Sequence, residues 1–266
     1  MILIFSILSA AVYCSLAGLV SAQEEENYSL WPRRPAELAQ ARSLVRAQKN
    51  AEALEVLQPF VAEKGIAGRE ARQITSAVNV RRYLTQEHPG LAEYKVRRGD
   101  TLKHIADVTK CPGDVIMLLN GMVEPSDLKV DQSVVYIPMS LRMEIHVRQR
   151  ELMVWDGSVL VAAYNLDSVE GNPGSENVET EIERRDGYLG DSPLPNHATV
   201  FAASERVLVL ANGWVISARP QNSGKVLRMK STDVNELALL MGVGGRVSFV
   251  CDENSFRASQ ISSQSQ

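Results

Sequence analysis

The stretch from Tyr94 to Pro138 constrains the fold of this chain more than any other. Tyr94 and Val96 form a short strand, and Arg97-Arg98-Gly99-Asp100-Thr101 is a glycine turn running into a helix, with Asp100 placed to cap its first free amides. Leu102, Ile105, Ala106 and Val108 then recur at helical spacing. A second helix follows at once. Cys111-Pro112-Gly113-Asp114 puts proline where a missing amide costs nothing and a carboxylate in the first turn, and Val115, Leu118 and Leu119 supply the apolar face. Asn120-Gly121 ends this helix, and Pro125-Ser126-Asp127 is a turn. Leu128, Val130, Val134, Tyr136 and Ile137 return as an extended segment that stops at Pro138. The order is strand, helix, helix, strand.

The order and the residues together resemble the LysM domain. The match runs through Tyr94-Lys95-Val96, Gly99-Asp100-Thr101-Leu102, Ile105-Ala106, Leu119-Asn120-Gly121, Leu128-Lys129-Val130-Asp131-Gln132 and Tyr136-Ile137-Pro138. The resemblance implies binding of N-acetylglucosamine polymers, peptidoglycan or chitin. It places the sugar between Gly99, Asp100, Thr101 and Leu102 on one side and Asn120, Gly121 and Met122 on the other. Free amides at a helix start suit an acetamide carbonyl, with Leu102 or Met122 covering its methyl. The competing reading is that these residues serve turn and cap geometry alone.

Before this stretch, Met1 to Ala22 carries no charged side chain and ends Val20-Ser21-Ala22, as a secretory signal peptide cleaved after Ala22 does. A retained anchor is the alternative, since the run is just long enough to span a bilayer. Residues 23–34 read as a linker. From Pro35 to Gly90 the period is helical: Leu38, Ala41, Leu44 and Val45, then Ala53, Leu54, Leu57, Phe60 and Val61, then Ala71, Ile74, Ala77, Val78 and Leu84, with Gly65 and Gly68 interrupting before the third group. The first two groups resemble one tetratricopeptide-type hairpin, read here as a helical spacer because a lone repeat cannot bury both faces. Arg42, Arg46 and Lys49 are read as a solvated face.

After Pro138 the period becomes two. Met143, Ile145 and Val147 alternate with Arg142, Glu144, His146 and Arg148, which places His146 outward. Leu152, Val154 and Trp155 lead into the Asp156-Gly157 turn, with Val159, Val161 and Tyr164 returning. Asp167 to Pro195 reads as a long polar region, followed by strands at Val200-Phe201, Val207 to Leu210, Trp214 to Ile216 and Arg246 to Val250, and by a short helix from Asp233 to Leu240. The tail, 252–266, is rich in Ser and Gln and is expected to be disordered.

This half resembles the L,D-transpeptidase (YkuD-like) catalytic domain in degenerate form. The resemblance rests on Ile145-His146-Val147, on Leu152 to Gly157, and on Leu227-Arg228-Met229, Asp233-Val234, Glu236-Leu237, Val243-Gly244 and Arg246-Val247. The family uses a cysteine thiolate activated by a histidine, because a thiol is mostly protonated near neutral pH without such help. Here Val226 stands where the cysteine belongs and Gly224 where the histidine belongs, and Ile216-Ser217-Ala218 lacks the second imidazole. The resemblance therefore implies a framework without transpeptidase chemistry. Ser217 and Ser223 with Lys225 are the one relocated nucleophile worth naming. Arg228 is a remnant able to hold a stem-peptide carboxylate, or else a surface ion-pair residue.

The expected architecture is multidomain α and β: a helical hairpin region over 35–90, a βααβ LysM unit over 93–139, and a mainly antiparallel β domain resembling L,D-transpeptidases over 141–251. The expected function is an exported, periplasmic or envelope-associated, non-catalytic protein that binds peptidoglycan strands, with a cell-wall enzyme as a second partner. The alternative is a divergent peptidoglycan-modifying enzyme. With 28 basic and 32 acidic residues and no sustained basic stripe, nucleic acid is an unsuited partner. The histidines at 88, 104, 146 and 197 form no spaced cluster, so neither a metal nor any other cofactor is expected. Cys111 and Cys251 remain after leader removal, and whether they pair stays open.

Overall fold

The computed structural model describes residues 35–174, 176–190, 192–194 and 205–251. The leader, the linker 23–34, the tail 252–266, His197 and the Val200-Phe201 strand expected from sequence lie outside the described residues.

Three helices open the described chain: α1 (Ala36–Arg46), α2 (Asn50–Val61) and α3 (Gly65–Tyr83). Leu38, Ala41, Leu57 and Ala71 form their shared core. Arg42 of α1 pairs with Glu70 of α3, and Lys49 with Glu52 at 3.0 Å, so two of the three cations read as simply solvated have ionic partners. Gly68 does not interrupt the helix. It lies inside α3, where a Cβ would sit 1.9 Å from the Glu63 carbonyl oxygen, and the α2–α3 turn can pass only because that atom is missing.

The LysM-like stretch folds as β1 (Ala92–Lys95), α4 (Leu102–Thr109), α5 (Gly113–Leu119) and β2 (Ser133–Tyr136), with β1 and β2 antiparallel from Ala92↔Tyr136 to Lys95↔Ser133. A short 3-10 turn at Pro125–Asp127 precedes β2. Ile116 and Met117 take the buried side of α5, whereas Val108 and Leu118, assigned to apolar faces from their spacing, are exposed. Short helices leave the exact facing to the neighbours they meet, which spacing cannot see.

The rest is one sheet built from β3 (Leu141–His146), β4 (Glu151–Asp156), β5 (Val159–Asn165), β6 (Ser168–Glu170), β7 (Val178–Leu189), β8 (Ser192–Leu194), β9 (Glu205–Leu210), β10 (Val215–Ser217), β11 (Val226–Arg228) and β12 (Arg246–Val250), with α6 (Ser231–Leu240) lying against β9 and β10. The strand order is β5-β4-β3-β12-β7-β9-β10-β11-β6, with β8 paired to β7. Only β12 with β3 and β10 with β11 run parallel among these pairs. The polar region from Asp167 to Pro195 is thus not a loop: β7 crosses its middle between β12 and β9. Its exposed Glu179, Glu181 and Glu183 alternate with Thr180 and Ile182, and Ile182 alone of these is fully buried, which left too weak an apolar signal.

Helix α3 closes the free edge of the sheet. Ser76 Oγ accepts the Ala163 amide at 2.9 Å, while Asn79 and Gln73 donate to the carbonyls of Leu160 and Ala163 at 2.6 and 3.3 Å. These bonds satisfy β5 groups that an open edge would offer to another strand. The same helix reaches Glu151 on β4 through Arg72, beside His146 of β3. His146 is buried, not outward, and lies 3.3 Å from Glu144. Residues of the LysM-like unit and of the sheet share one continuous core, from Val96, Ile105 and Val115 to Met143, Ile145 and Phe249.

Candidate functional site

The turn before α4 is held by two different side chains. Thr101, not Asp100, is the cap: its hydroxyl accepts the His104 amide at 3.1 Å. Asp100 instead accepts the Arg97 amide at 2.8 Å and the Tyr94 hydroxyl at 3.0 Å. The Arg97 amide, and after it the Tyr94 hydroxyl, hold its carboxyl below the usual carboxylate range. Gly99 has φ +91°, a backbone that L side chains rarely adopt.

A cleft of about 780 Å³ opens beside this turn, between the LysM-like unit and the β domain. Thr101 and Leu102 line it. Asn120, Gly121 and Met122 do not. Asn120 is committed to the fold: its side-chain amide donates to Ile116 and Val135 carbonyls, both at 2.7 Å, and its Oδ1 accepts the Val135 amide at 2.8 Å. Met122 is buried in the core. The opposite wall of the cleft comes from Arg185 on β7 and from Met241 to Arg246. Sequence reading missed that wall. Its one available signal was the run Gly242, Gly244, Gly245 before the last strand.

The degenerate catalytic positions lie elsewhere. Strands β10 and β11 pair Val215 with Val226 and Ser217 with Arg228, so both expected catalytic elements do come side by side. Val226 is fully buried in the sheet. Ser217 Oγ accepts the Arg219 amide at 2.9 Å and Gln221 Nε2 at 3.1 Å and donates to the Arg219 carbonyl at 3.2 Å. Ser223 Oγ accepts the Lys225 amide at 3.2 Å, and Lys225 Nζ donates to the Asn212 carbonyl at 3.3 Å. Gly224 is exposed. Arg228 donates to Glu170 at 2.6 Å and to the Arg219 carbonyl at 2.7 Å. Its guanidinium in turn holds the Glu170 carboxyl below its ordinary range. Among the described residues no group of three His, Cys, Asp or Glu side chains has the arrangement to hold a metal ion.

Cys111 and Cys251 are separate, buried free thiols. Burial pushes the Cys111 thiol up to about 11.

With this geometry in place, comparison with known proteins is informative for one unit. Residues 94–135 match the LysM domain family. This segment is a LysM domain. No curated protein matches the chain. Among solved structures, an L,D-transpeptidase of Xylanimonas cellulosilytica is similar at 15% identity and TM-score 0.30, over 43% of this chain and 65% of that one. L,D-transpeptidase 1 of Mycobacterium tuberculosis is similar at 9% identity and TM-score 0.30, over 46% of this chain and 67% of that one. A mutant L,D-transpeptidase of Enterococcus faecium is similar at 10% identity and TM-score 0.29, over 70% of this chain and 86% of that one. The chain spans less than two thirds of the Xylanimonas structure, and likenesses of this size carry no argument about activity. Among the described residues, no helix is long and apolar enough to cross a membrane.

Proposed function

We propose that this chain is an exported, envelope-associated protein that binds N-acetylglucosamine-containing glycan, peptidoglycan strands foremost, and performs no chemistry on it. The observation that carries the reading is a LysM domain whose Thr101 and Leu102 open into a cleft of about 780 Å³, a volume suited to a short saccharide. Export rests on the uncharged run from Met1 to Ala22. Two observations support the non-catalytic part. The position of the expected nucleophile is a fully buried valine, Val226, and the hydroxyls of Ser217 and Ser223 are spent on the turns that follow β10 and precede β11. A nucleophile needs a base within hydrogen-bond reach, and the Lys225 ammonium instead faces the Asn212 carbonyl.

The test is sedimentation of the mature chain with insoluble peptidoglycan, with and without soluble N-acetylglucosamine oligomers, and analysis of the supernatant for released or cross-linked fragments. Sedimentation that the oligomers compete away, that Leu102→Arg abolishes, and that yields no product supports the proposal. Product formation overturns its non-catalytic part, and a chain that stays in solution overturns the whole.

A further inference from the structure

We infer that the cleft is a composite site selective for acidic glycan, in which the β domain supplies the second wall and the cations that prefer a carboxylate-bearing ligand to a neutral one. This deepens the glycan-binding proposal and rests on it.

The two walls are fixed relative to each other. Arg185, reaching from β7, donates both to Asp114 at the start of α5 and to the Ala238 carbonyl in α6, the latter at 2.6 Å. The Met139 amide donates to the Lys110 carbonyl at 3.0 Å, which holds the chain between the domains against the end of α4. The second wall is itself a pinned turn. Gly244 donates to the Ile182 carbonyl at 2.8 Å, Ile182 to the Gly245 carbonyl at 3.0 Å, and Gly245 to the Gly242 carbonyl at 3.1 Å. Val243, at the tip, is 63% exposed and offers an apolar surface toward a sugar face or an acetyl methyl. A wall ordered before the ligand arrives loses little freedom on binding.

The charge lining is one-sided. Lys103, Lys110, Arg185 and Arg246 line the cleft against the single carboxylate of Asp107. Lys103 is matched by Asp107 at 2.7 Å, and Arg185 by Asp114. Neither Lys110 nor Arg246 has a carboxylate at ion-pair distance among the described residues: Lys110 shares the field of Asp107, and Arg246 stands across from Glu181 on β7, in a chain of formal net charge -4. Four cations against one lining carboxylate, on a net-negative protein, concentrate an anionic ligand there. A neutral amino-sugar oligomer offers them hydrogen-bond acceptors but no charge. A glycan carrying peptide carboxylates offers both.

The experiment titrates the full mature chain with two probes, neutral N-acetylglucosamine tetramer and a disaccharide-peptide fragment of peptidoglycan with free carboxylates, at low and high salt. Wild type is expected to bind the acidic fragment more tightly, with the preference shrinking as salt screens the cations. Lys110→Gln with Arg246→Gln is expected to weaken the acidic fragment by about fivefold and the neutral tetramer by markedly less, so that the acidic preference shrinks. Val243→Asp is expected to weaken both probes, and thermal unfolding checks that each variant stays folded. Equal binding of the two probes by wild type, or an acidic preference untouched by the double substitution, overturns the inference while the glycan-binding proposal stands. Failure of wild type to bind either probe overturns both.

Discussion

Arg72 on α3 and Glu151 on β4, 79 residues apart in sequence, meet as a bidentate pair with both side chains almost wholly out of solvent: Nε to Oε1 at 2.9 Å and Nη2 to Oε2 at 2.7 Å. The remaining guanidinium nitrogen donates to the carbonyls of Val61 and Glu63 at 2.9 and 2.8 Å, so one side chain fastens the α2–α3 turn to the sheet. A buried pair adds little over a well-packed apolar replacement, but removing one partner strands the other charge. Glu151→Gln or Arg72→Met should therefore lower unfolding free energy by about 3–5 kcal/mol, while the double change to Arg72→Met with Glu151→Leu should recover only part of the loss, because the Val61 and Glu63 carbonyls stay without their donor. Urea unfolding of all three variants checks this, and equal losses in single and double variants would sink the assignment.

Gly68 should refuse alanine. Inside an ordinary helix, Gly→Ala gains about 1 kcal/mol. Here the added methyl meets the Glu63 carbonyl, an atom already held by Arg72. Gly68→Ala is expected to destabilise by about 1–3 kcal/mol instead, and a melting temperature at or above that of wild type would refute it.

Asn120 separates a structural from a ligand-contacting role. Two of its three side-chain bonds join the end of α5 to β2, so Asn120→Ala should cost about 1–3 kcal/mol through the stranded Val135 groups. Saccharide affinity measured well below the melting transition should stay within about twofold, because that side chain lies outside the cleft. A large affinity loss with unchanged stability would return Asn120 to the binding site.

What was legible in the sequence was mostly local. The βααβ order over 92–136, the Asp156-Gly157 hairpin and the Asn212-Gly213 turn all follow from residues adjacent in the chain. The misreadings share one cause. His146 alternates as an outward residue and is buried, on the face where α3, whose sequence lies before the LysM domain, reaches the neighbouring Glu151. Gly68 resembles a break until the Glu63 carbonyl is seen against it. Thr101 and Asp100 are adjacent capping types, and it is the Arg97 amide and the Tyr94 hydroxyl that hold Asp100 turned backward. The cleft depends on Met241 to Arg246 meeting α4 across the domain boundary, a distance no spacing rule spans.

The two thiols should be present, reduced and slow. Both are buried, and burial raises both above the ordinary thiol range, Cys111 to about 11. The thiolate is the reacting form, so a maleimide at about pH 7 should modify native protein far more slowly than urea-unfolded protein. Unfolding without reductant should expose two reactive thiols in the mature chain. Finding none would mean that Cys111 and Cys251 pair after all.

Glu236 gives the pH dependence its least ordinary contribution. Burial first, and the nearby Asp233 carboxylate after it, raise its carboxyl, while the Tyr164 hydroxyl donating to it at 2.8 Å only partly offsets them. A carboxyl raised in the folded state binds its proton more tightly there than in the unfolded chain. Its contribution is therefore fully present below the unfolded value, about 4.3, and is lost as pH rises through the folded one. Glu236→Gln keeps an acceptor for Tyr164 and cannot ionise. The stability difference, variant minus wild type, should grow in the variant's favour from about pH 4 upward and level off once wild-type Glu236 is ionised. Denaturant unfolding of both proteins across that range measures the difference directly. A flat profile, or one that falls, would mean that folding does not raise the Glu236 carboxyl.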